Sequence, residues 1–227
     1  MIGIRALVFD AYGTLFDVRS VGVLCEEFWP GKGAQLTQLW RAKQLEYSWL
    51  RSLMRRYEGF EQVTTAALGY ACAALGLALT DESRRRLLRT YRELAIFDDV
   101  PEALRALKIS RLRLAILSNG SPAMLRPLVA HACLGGLIGT VLSVDPTKTY
   151  KPSPVVYRLA VERLHLPKRA IGFVSSNCWD ACGAKAFGFR TFWVNRGGAP
   201  VDALGVAPDH VVRGLDELPA LLRVPVS

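Results

Sequence analysis

The stretch IRALVFDAYGTLF, residues 4–16, decides the architecture. Apart from Arg5, its first half is apolar without alternation. It ends abruptly at Asp10, before the turn-prone Ala11-Tyr12-Gly13-Thr14. A short continuous apolar run of this kind fits a strand buried on both faces, as in parallel sheets covered by helices.

Outward from it, similar runs lie at 112–117, 139–144, 170–174 and 191–194, with a weaker one at 210–212. Helical patterns separate most of them. One is PEALRALK, beginning at Pro101. Another is SPVVYRLAVERL, which opens with Ser153 at the N-cap and Pro154 in the first turn, a strong start signal. Strands alternating with helices predict an α/β fold, a doubly wound, mainly parallel Rossmann-like sheet. Residues 16–96 break the rhythm and read as helical throughout. Leu36, Trp40, Tyr47, Leu50, Met54 and Tyr57 follow a helical stripe, and Thr80 caps a helix over 83–94. A helical cap subdomain (16–96) inserted into an α/β catalytic core (1–15 and 97–227) is therefore expected.

Composition narrows the function classes. Of 227 residues, 51% are hydrophobic and 22% charged, a profile of a globular chain rather than a disordered one. Lys and Arg number 29 against 20 acids, a formal charge of +9. Such a surplus suits nucleic acid, an anionic membrane or an acidic substrate. The densest cluster, Arg84-Arg85-Arg86 with Arg89 and Arg92, lies on a predicted helix without zinc-finger spacing or an RNA-binding signature. A solvated helix face is the simpler reading, and no nucleic-acid partner is expected. Five cysteines with no CxxC pair speak against a disulfide framework and against structural zinc, and for free thiols in a reducing cytoplasm. The N-terminal stretch lacks the pattern of a signal peptide. Residues 62–80 carry no charge, but their apolar part is too short to cross a bilayer comfortably, so a buried helix or a subunit interface is expected and no membrane contact. His131, His165 and His210 have neither metal-ligand spacing nor a nucleophile partner and read as structural.

In open α/β sheets, ligands bind beyond the carboxyl ends of the strands. Asp10 follows the first run. Ser118, Asn119 and Gly120 follow the second. Lys151 comes after the third, with Tyr157 in the next helix. Ser175, Ser176, Asn177 and, at a helix start, Asp180 follow the fourth. Four successive strand ends thus deliver polar groups to one rim. Any one of these residues alone has a plainer role: Asp10 in a turn, Asp180 as a helix cap, Lys151 in a surface loop, Asn119-Gly120 as a turn signal.

FDAYGTL, LSNG, YKPSPVVY and SSNCWDACGAKAFG resemble the signature segments of the haloacid dehalogenase superfamily, and more narrowly its bacterial (S)-2-haloacid dehalogenases. LWRAKQLEYSWLRSLM resembles that family's cap helix, so the resemblance covers nearly the whole chain. Two positions carry its functional meaning. The superfamily's phosphatases place a second Asp, a general acid for an alkoxide leaving group, where this chain has Tyr12; halide leaves without a proton. Ser175 stands where an acidic Mg²⁺ ligand is usual in them.

The resemblance implies a cofactor-free, metal-independent hydrolase. Asp10 attacks the α-carbon of a small haloacid to form an ester, and Asp180 is the base for the water that hydrolyses it. Lys151 and Asn177 orient the carboxylates, Thr14 and Ser175 fix Asp10, and Tyr157 completes the catalytic set. The substrate carboxylate is expected on Ser118, Asn119 and backbone N–H groups, helped by Lys151. The halide is expected near Arg41 and Asn177, with apolar walls from Tyr12, Leu45, Phe60 and Trp179. Arg41 and Leu45 are four apart and share a helix face. Ala42 replaces a Gln frequent in the family, which implies an altered halide-side pocket. A homodimer is expected as well. The rival readings are a Mg²⁺-dependent phosphatase of the same superfamily and, more remotely, a basic nucleic-acid-binding protein.

Overall fold

A computed structural model describes residues 3–222; residues 1–2 and 223–227, which the expected core division includes, lie outside the described residues. The six runs are strands: β1 (Ala6–Phe9), β2 (Arg113–Ser118), β3 (Thr140–Ser143), β4 (Ile171–Ser175), β5 (Arg190–Val194) and β6 (His210–Val212). They form one sheet in the order β3-β2-β1-β4-β5-β6, and every pairing is parallel. All four residues of β1 are fully buried, as its unbroken apolar run requires. Strand order reverses direction between β1 and β4, so the loops after these two strands diverge and leave a crevice at their carboxyl ends.

Four α-helices fill the segment between β1 and residue 97: α1 (Val21–Phe28), α2 (Gly33–Leu53), α3 (Phe60–Ala74) and α4 (Asp81–Thr90). The two ends of this segment are stitched side by side. Asp17 donates its N–H to Ala95, Phe97 donates to Leu15, and Phe16 bridges Ile96. Thr80 caps α4 as expected, its hydroxyl accepting from Ser83 N–H, but the helix stops at Thr90 rather than continuing to 94. Next come α5 (Val100–Ile109), α6 (Pro122–His131), α7 (Pro154–Leu164), α8 (Cys178–Phe187) and α9 (Glu217–Leu221). Ser153 occupies the N-cap of α7 without a side-chain capping bond; Pro154 and the turn bond from Ser153 N–H to Tyr150 set the start.

The expected stripe on α2 holds only in its first half. After Gly33 at its start, the buried positions are Leu36, Trp40, Gln44 and Ser48, whereas Leu50 and Met54 are exposed. A four-residue spacing keeps to the face against α3, and polar side chains continue that face because each finds a partner: Gln44 donates to Thr64 of α3, and the Ser48 hydroxyl donates to the Leu45 carbonyl of its own helix. Sheet and helical layer meet in one contiguous apolar cluster running from Phe9 and Phe173 through Tyr12 and Phe60 to Trp40 and Tyr91. No described helix is long and apolar enough to cross a membrane.

Candidate active site

Asp10 ends β1, and the chain turns at once: Thr14, Leu15 and Phe16 all donate N–H to the Ala11 carbonyl. Gly13 has φ +89°, a left-handed conformation that suits glycine and lets the turn close within four residues. The turn brings the Thr14 hydroxyl back onto Asp10 Oδ2 at 3.1 Å. Asn177, the N-cap of α8, donates Nδ2 to the same oxygen at 3.0 Å.

Lys151 supplies the centre of the site. Its Nζ lies 2.9 Å from Asp10 Oδ1 and 2.9 Å from Asp180 Oδ2, and all three side chains are almost wholly buried. The Tyr157 hydroxyl donates to the other Asp180 oxygen at 2.7 Å. This contact depends on Gly183, where a Cβ would sit 2.5 Å from Pro152 and 2.7 Å from the Tyr157 hydroxyl, so α8 can approach only without a side chain there. Asp180 lies in the first turn of α8 but does not cap it; both its oxygens are taken by Lys151 and Tyr157.

Two buried carboxylates on one ammonium leave a net negative charge in a low-dielectric setting. Burial pushes the Asp180 carboxyl up to about 6, opposed by Lys151 and reinforced by Asp10. Burial works against the Lys151 ammonium, but Asp10 and Asp180 outweigh it and hold its pKa above the usual lysine value.

The remaining rim residues act on the backbone. Ser118 Oγ accepts from Gly120 N–H at 3.1 Å, and Asn119 Oδ1 accepts from Lys151 N–H at 3.1 Å, fixing the loop that carries the lysine. Ser175 differs from expectation: its hydroxyl accepts from Asn177 N–H at 3.1 Å, so it steadies the Asn177 turn rather than holding Asp10. The partner that Thr14 finds across the rim is Ser176, whose N–H donates to the Thr14 hydroxyl at 2.8 Å.

The helical layer supplies the apolar side. Tyr12 is buried with its ring 5.7 Å from Phe60 and 6.1 Å from Tyr91. Its hydroxyl has no hydrogen-bond partner among the described residues. Burial and then Tyr91 push the Tyr12 phenol far up, while the Arg41 guanidinium pulls the other way and Asp10 pushes up; Tyr12 thus lies within electrostatic reach of both charges. Arg41 donates Nη1 to Gln44 Oε1 at 2.6 Å and also lines a groove of about 950 Å³ with Val18, Val23 and Thr37. Leu45 is half-buried on α2, and Trp179 meets Trp49 edge-on at 5.3 Å. Ala42 is exposed, and the amide that touches Arg41 comes from Gln44. Trp49, Gln44 and Tyr91 were not anticipated. Trp49 could have been, since 41, 45 and 49 continue one four-residue spacing; the other two have partners distant in sequence.

A family model for haloacid dehalogenase-like hydrolases matches residues 4–188. An (S)-2-haloacid dehalogenase of Pseudomonas sp. strain YL is 51% identical across 93% of this chain and 91% of its own length. The chain belongs to the (S)-2-haloacid dehalogenases of the haloacid dehalogenase superfamily. Among solved structures similar to this dehalogenase is an L-2-haloacid dehalogenase with a TM-score of 0.95 at 46% identity, covering 97% of this chain and 99% of the other. An L-2-haloacid dehalogenase from Xanthobacter autotrophicus, with chloropropionic acid covalently bound, has a TM-score of 0.91 at 41% identity, covering 98% of this chain and all of the other. Two residues after Asp10 stands Tyr12 rather than a carboxylic acid, and a halide leaving group needs no proton.

Proposed function

We propose that the chain hydrolyses small (S)-2-haloalkanoic acids to (R)-2-hydroxyalkanoic acids with Asp10 as nucleophile. The observation that carries this reading is the buried Asp10–Lys151–Asp180 triad. A carboxylate oxygen of Asp10 attacks the α-carbon opposite the halogen. The C–O bond forms as the carbon–halogen bond breaks, and halide leaves with the electron pair. Water then attacks the carbonyl carbon of the Asp10 ester, giving its proton to Asp180. The acyl C–O bond breaks, the leaving alkoxide takes the proton from Asp180, and the Asp10 carboxyl loses its own proton to solvent. The α-carbon is inverted once, in the first step, because the second does not touch it.

Lys151, Thr14 and Asn177 hold Asp10 in one rotamer, which pre-organises the attack. Tyr157 and Lys151 aim Asp180, Ser175 steadies Asn177, and Asn119 steadies Lys151. Ser118, Asn119 and the Lys151 charge receive the substrate carboxylate. Arg41 and Asn177 receive the halide. Tyr12, Leu45, Phe60 and Trp179 enclose the alkyl part.

No metal ion takes part in this scheme. The position beside both carboxylates is filled by an ammonium nitrogen within 2.9 Å of each. Among the described residues no three His, Cys, Asp or Glu side chains gather as a metal site.

The helices of residues 16–96 act as a cap subdomain over a core of 1–15 and 97–227. The exposed Leu50, Leu53, Met54 and Tyr70 on α2 and α3 support a homodimer through that face. Four arginines of the 84–92 cluster are engaged in ion pairs, which supports a solvated face rather than a nucleic-acid role: Arg84 pairs with Asp81, Arg86 with Glu27, Arg89 with Glu93 and Arg92 with Glu61. Five free thiols suit the reducing cytoplasm.

The test is halide release from each enantiomer of 2-chloropropionate in EDTA, with Asp10→Asn as control under single-turnover conditions. Chloride from the (S) acid alone, lost in the variant, is expected. A Mg²⁺ requirement with phosphate release, or undiminished release by Asp10→Asn, overturns the reading.

A further inference from the structure

Gln44 is a full-length amide, wholly buried, at a helix position where the spacing from Leu36 and Trp40 calls for an apolar side chain. Every bond it makes has a fixed direction. The Thr64 hydroxyl gives its single proton to the Phe60 carbonyl at 2.6 Å, so toward Gln44 it can only accept, and Gln44 Nε2 donates to it at 2.6 Å. The other end of the amide, Oε1, is thereby turned toward Arg41, whose Nη1 donates to it at 2.6 Å. The same stretch of α3 is pinned to α2 by Trp40 Nε1 donating to the Thr64 carbonyl at 2.8 Å. Phe60, Thr64, Gln44 and Arg41 form one chain of donors with one polarity, anchored in backbone at one end and ending on a cation at the other.

A leucine at 44 would fill similar volume without desolvating an amide, and replacing a buried polar network with apolar groups is often neutral or stabilising. What the amide adds over a leucine is a directed contact with the Arg41 guanidinium.

We propose that Gln44 is a positioning residue for the reaction: it sets the guanidinium of Arg41 in the orientation that meets the departing halide. This rests on the reading of Arg41 given under Proposed function. The long, flexible arginine side chain loses substantial rotamer freedom in any one pose. Fixing one guanidinium nitrogen in advance leaves the remaining N–H groups aimed before substrate arrives, so that ordering is not required in the transition state. Gln44 itself touches neither substrate nor nucleophile and acts through Arg41.

The experiment is a double-mutant cycle with Gln44→Leu and Arg41→Lys, read as kcat and KM on (S)-2-chloropropionate and (S)-2-bromopropionate. Thr64→Val, which removes the far anchor and leaves Gln44 in place, is a second route if Gln44→Leu fails to fold. Gln44→Leu is expected to lower kcat about tenfold, with KM changed less and thermal stability kept or raised, as for loss of a contact made mainly in the transition state. The drop should be larger for chloride, the poorer leaving group. In the Arg41→Lys background the same substitution should change kcat by less than about twofold, since the coupling acts through Arg41. Equal drops in both backgrounds, no drop in either, or equal loss on both halides overturns the proposal. Wild-type protein that releases neither halide refutes the dehalogenase reading itself, a result separate from any behaviour of the variants.

Discussion

The site has two halves built on opposite principles. On the sheet rim, Asp10, Lys151, Asp180 and Tyr157 are buried, and every carboxylate oxygen has a named partner. Facing it, the helical layer offers Arg41, Leu45, Trp49 and Phe60 beside Tyr12 of the β1 turn, and the Tyr12 hydroxyl and the Trp49 indole N–H have no partners among the described residues. The rim is finished before substrate arrives. The helical half keeps unspent donors and apolar walls for whatever enters. Chemistry that makes and breaks an ester needs fixed charge, whereas a family of small acids needs shape and adaptable contacts.

The largest test of this division is Asp180→Asn. The rim should then carry out the first step and stop, releasing about one halide per chain with no further turnover, as expected for a burst that leaves a covalent intermediate. Mass spectrometry should find the ester on the Asp10 peptide; sustained turnover would break the division of labour. Lys151→Ala removes the charge both carboxylates share. Unpairing a buried ion pair costs about 3–5 kcal/mol of stability, and activity should fall about a thousandfold, the factor given by roughly 4 kcal/mol of transition-state stabilisation. A variant as stable as wild type in urea would show that the rim is less pre-organised than its geometry indicates.

Next in size is pH. The Asp180 carboxyl is raised to about 6, and the base must be ionised to take a proton from water, so turnover should decline as pH falls through about 6. Tyr157→Phe removes a donor that favours the charged form, so the acid limb should move to higher pH by less than about one unit, the shift worth roughly 1 kcal/mol. A limb that moves down, or stays put, contradicts the assignment of Asp180 as base.

The helical half should answer more softly. Trp49→Ala, losing the α2 ring that meets Trp179 edge-on, should raise KM about threefold to tenfold while changing kcat little, the pattern of lost uniform binding. A collapse in kcat there would merge the two halves into one. Smallest for catalysis is Leu53→Asp on the exposed face of α2, which should shift sedimentation toward monomer and leave kcat per chain unchanged.

Much of the rim was legible from sequence because each residue follows a strand, and parallel strands end on a common edge. Asp10, Ser118, Lys151 and Asn177 needed only the order of apolar runs to be placed together. Ser175 shows the limit: its position was right, but the direction of its hydroxyl depends on the turn at Asn177, a local geometry that residue type does not specify. The helical layer was harder. The apolar pattern on α2 pointed to Leu50 and Met54, yet the buried face continues through Gln44 and Ser48. Periodicity reports which residues are apolar, not which helix will lie alongside and with what hydrogen-bonding groups.

By itself, the sequence determined the alternation of buried strands and helices, the place of the inserted helices, and the set of polar residues at the strand ends. These follow from local chemistry: apolar runs, capping residues and turns. Only the tertiary structure decided that one ammonium joins Asp10 to Asp180, that Gly183 lets Tyr157 reach the second carboxylate, and that Gln44 meets Arg41 from within the helical layer. These contacts join residues far apart in the chain or fix the direction of a side chain. Their existence depends on how closely whole elements pack, which no short stretch of sequence contains.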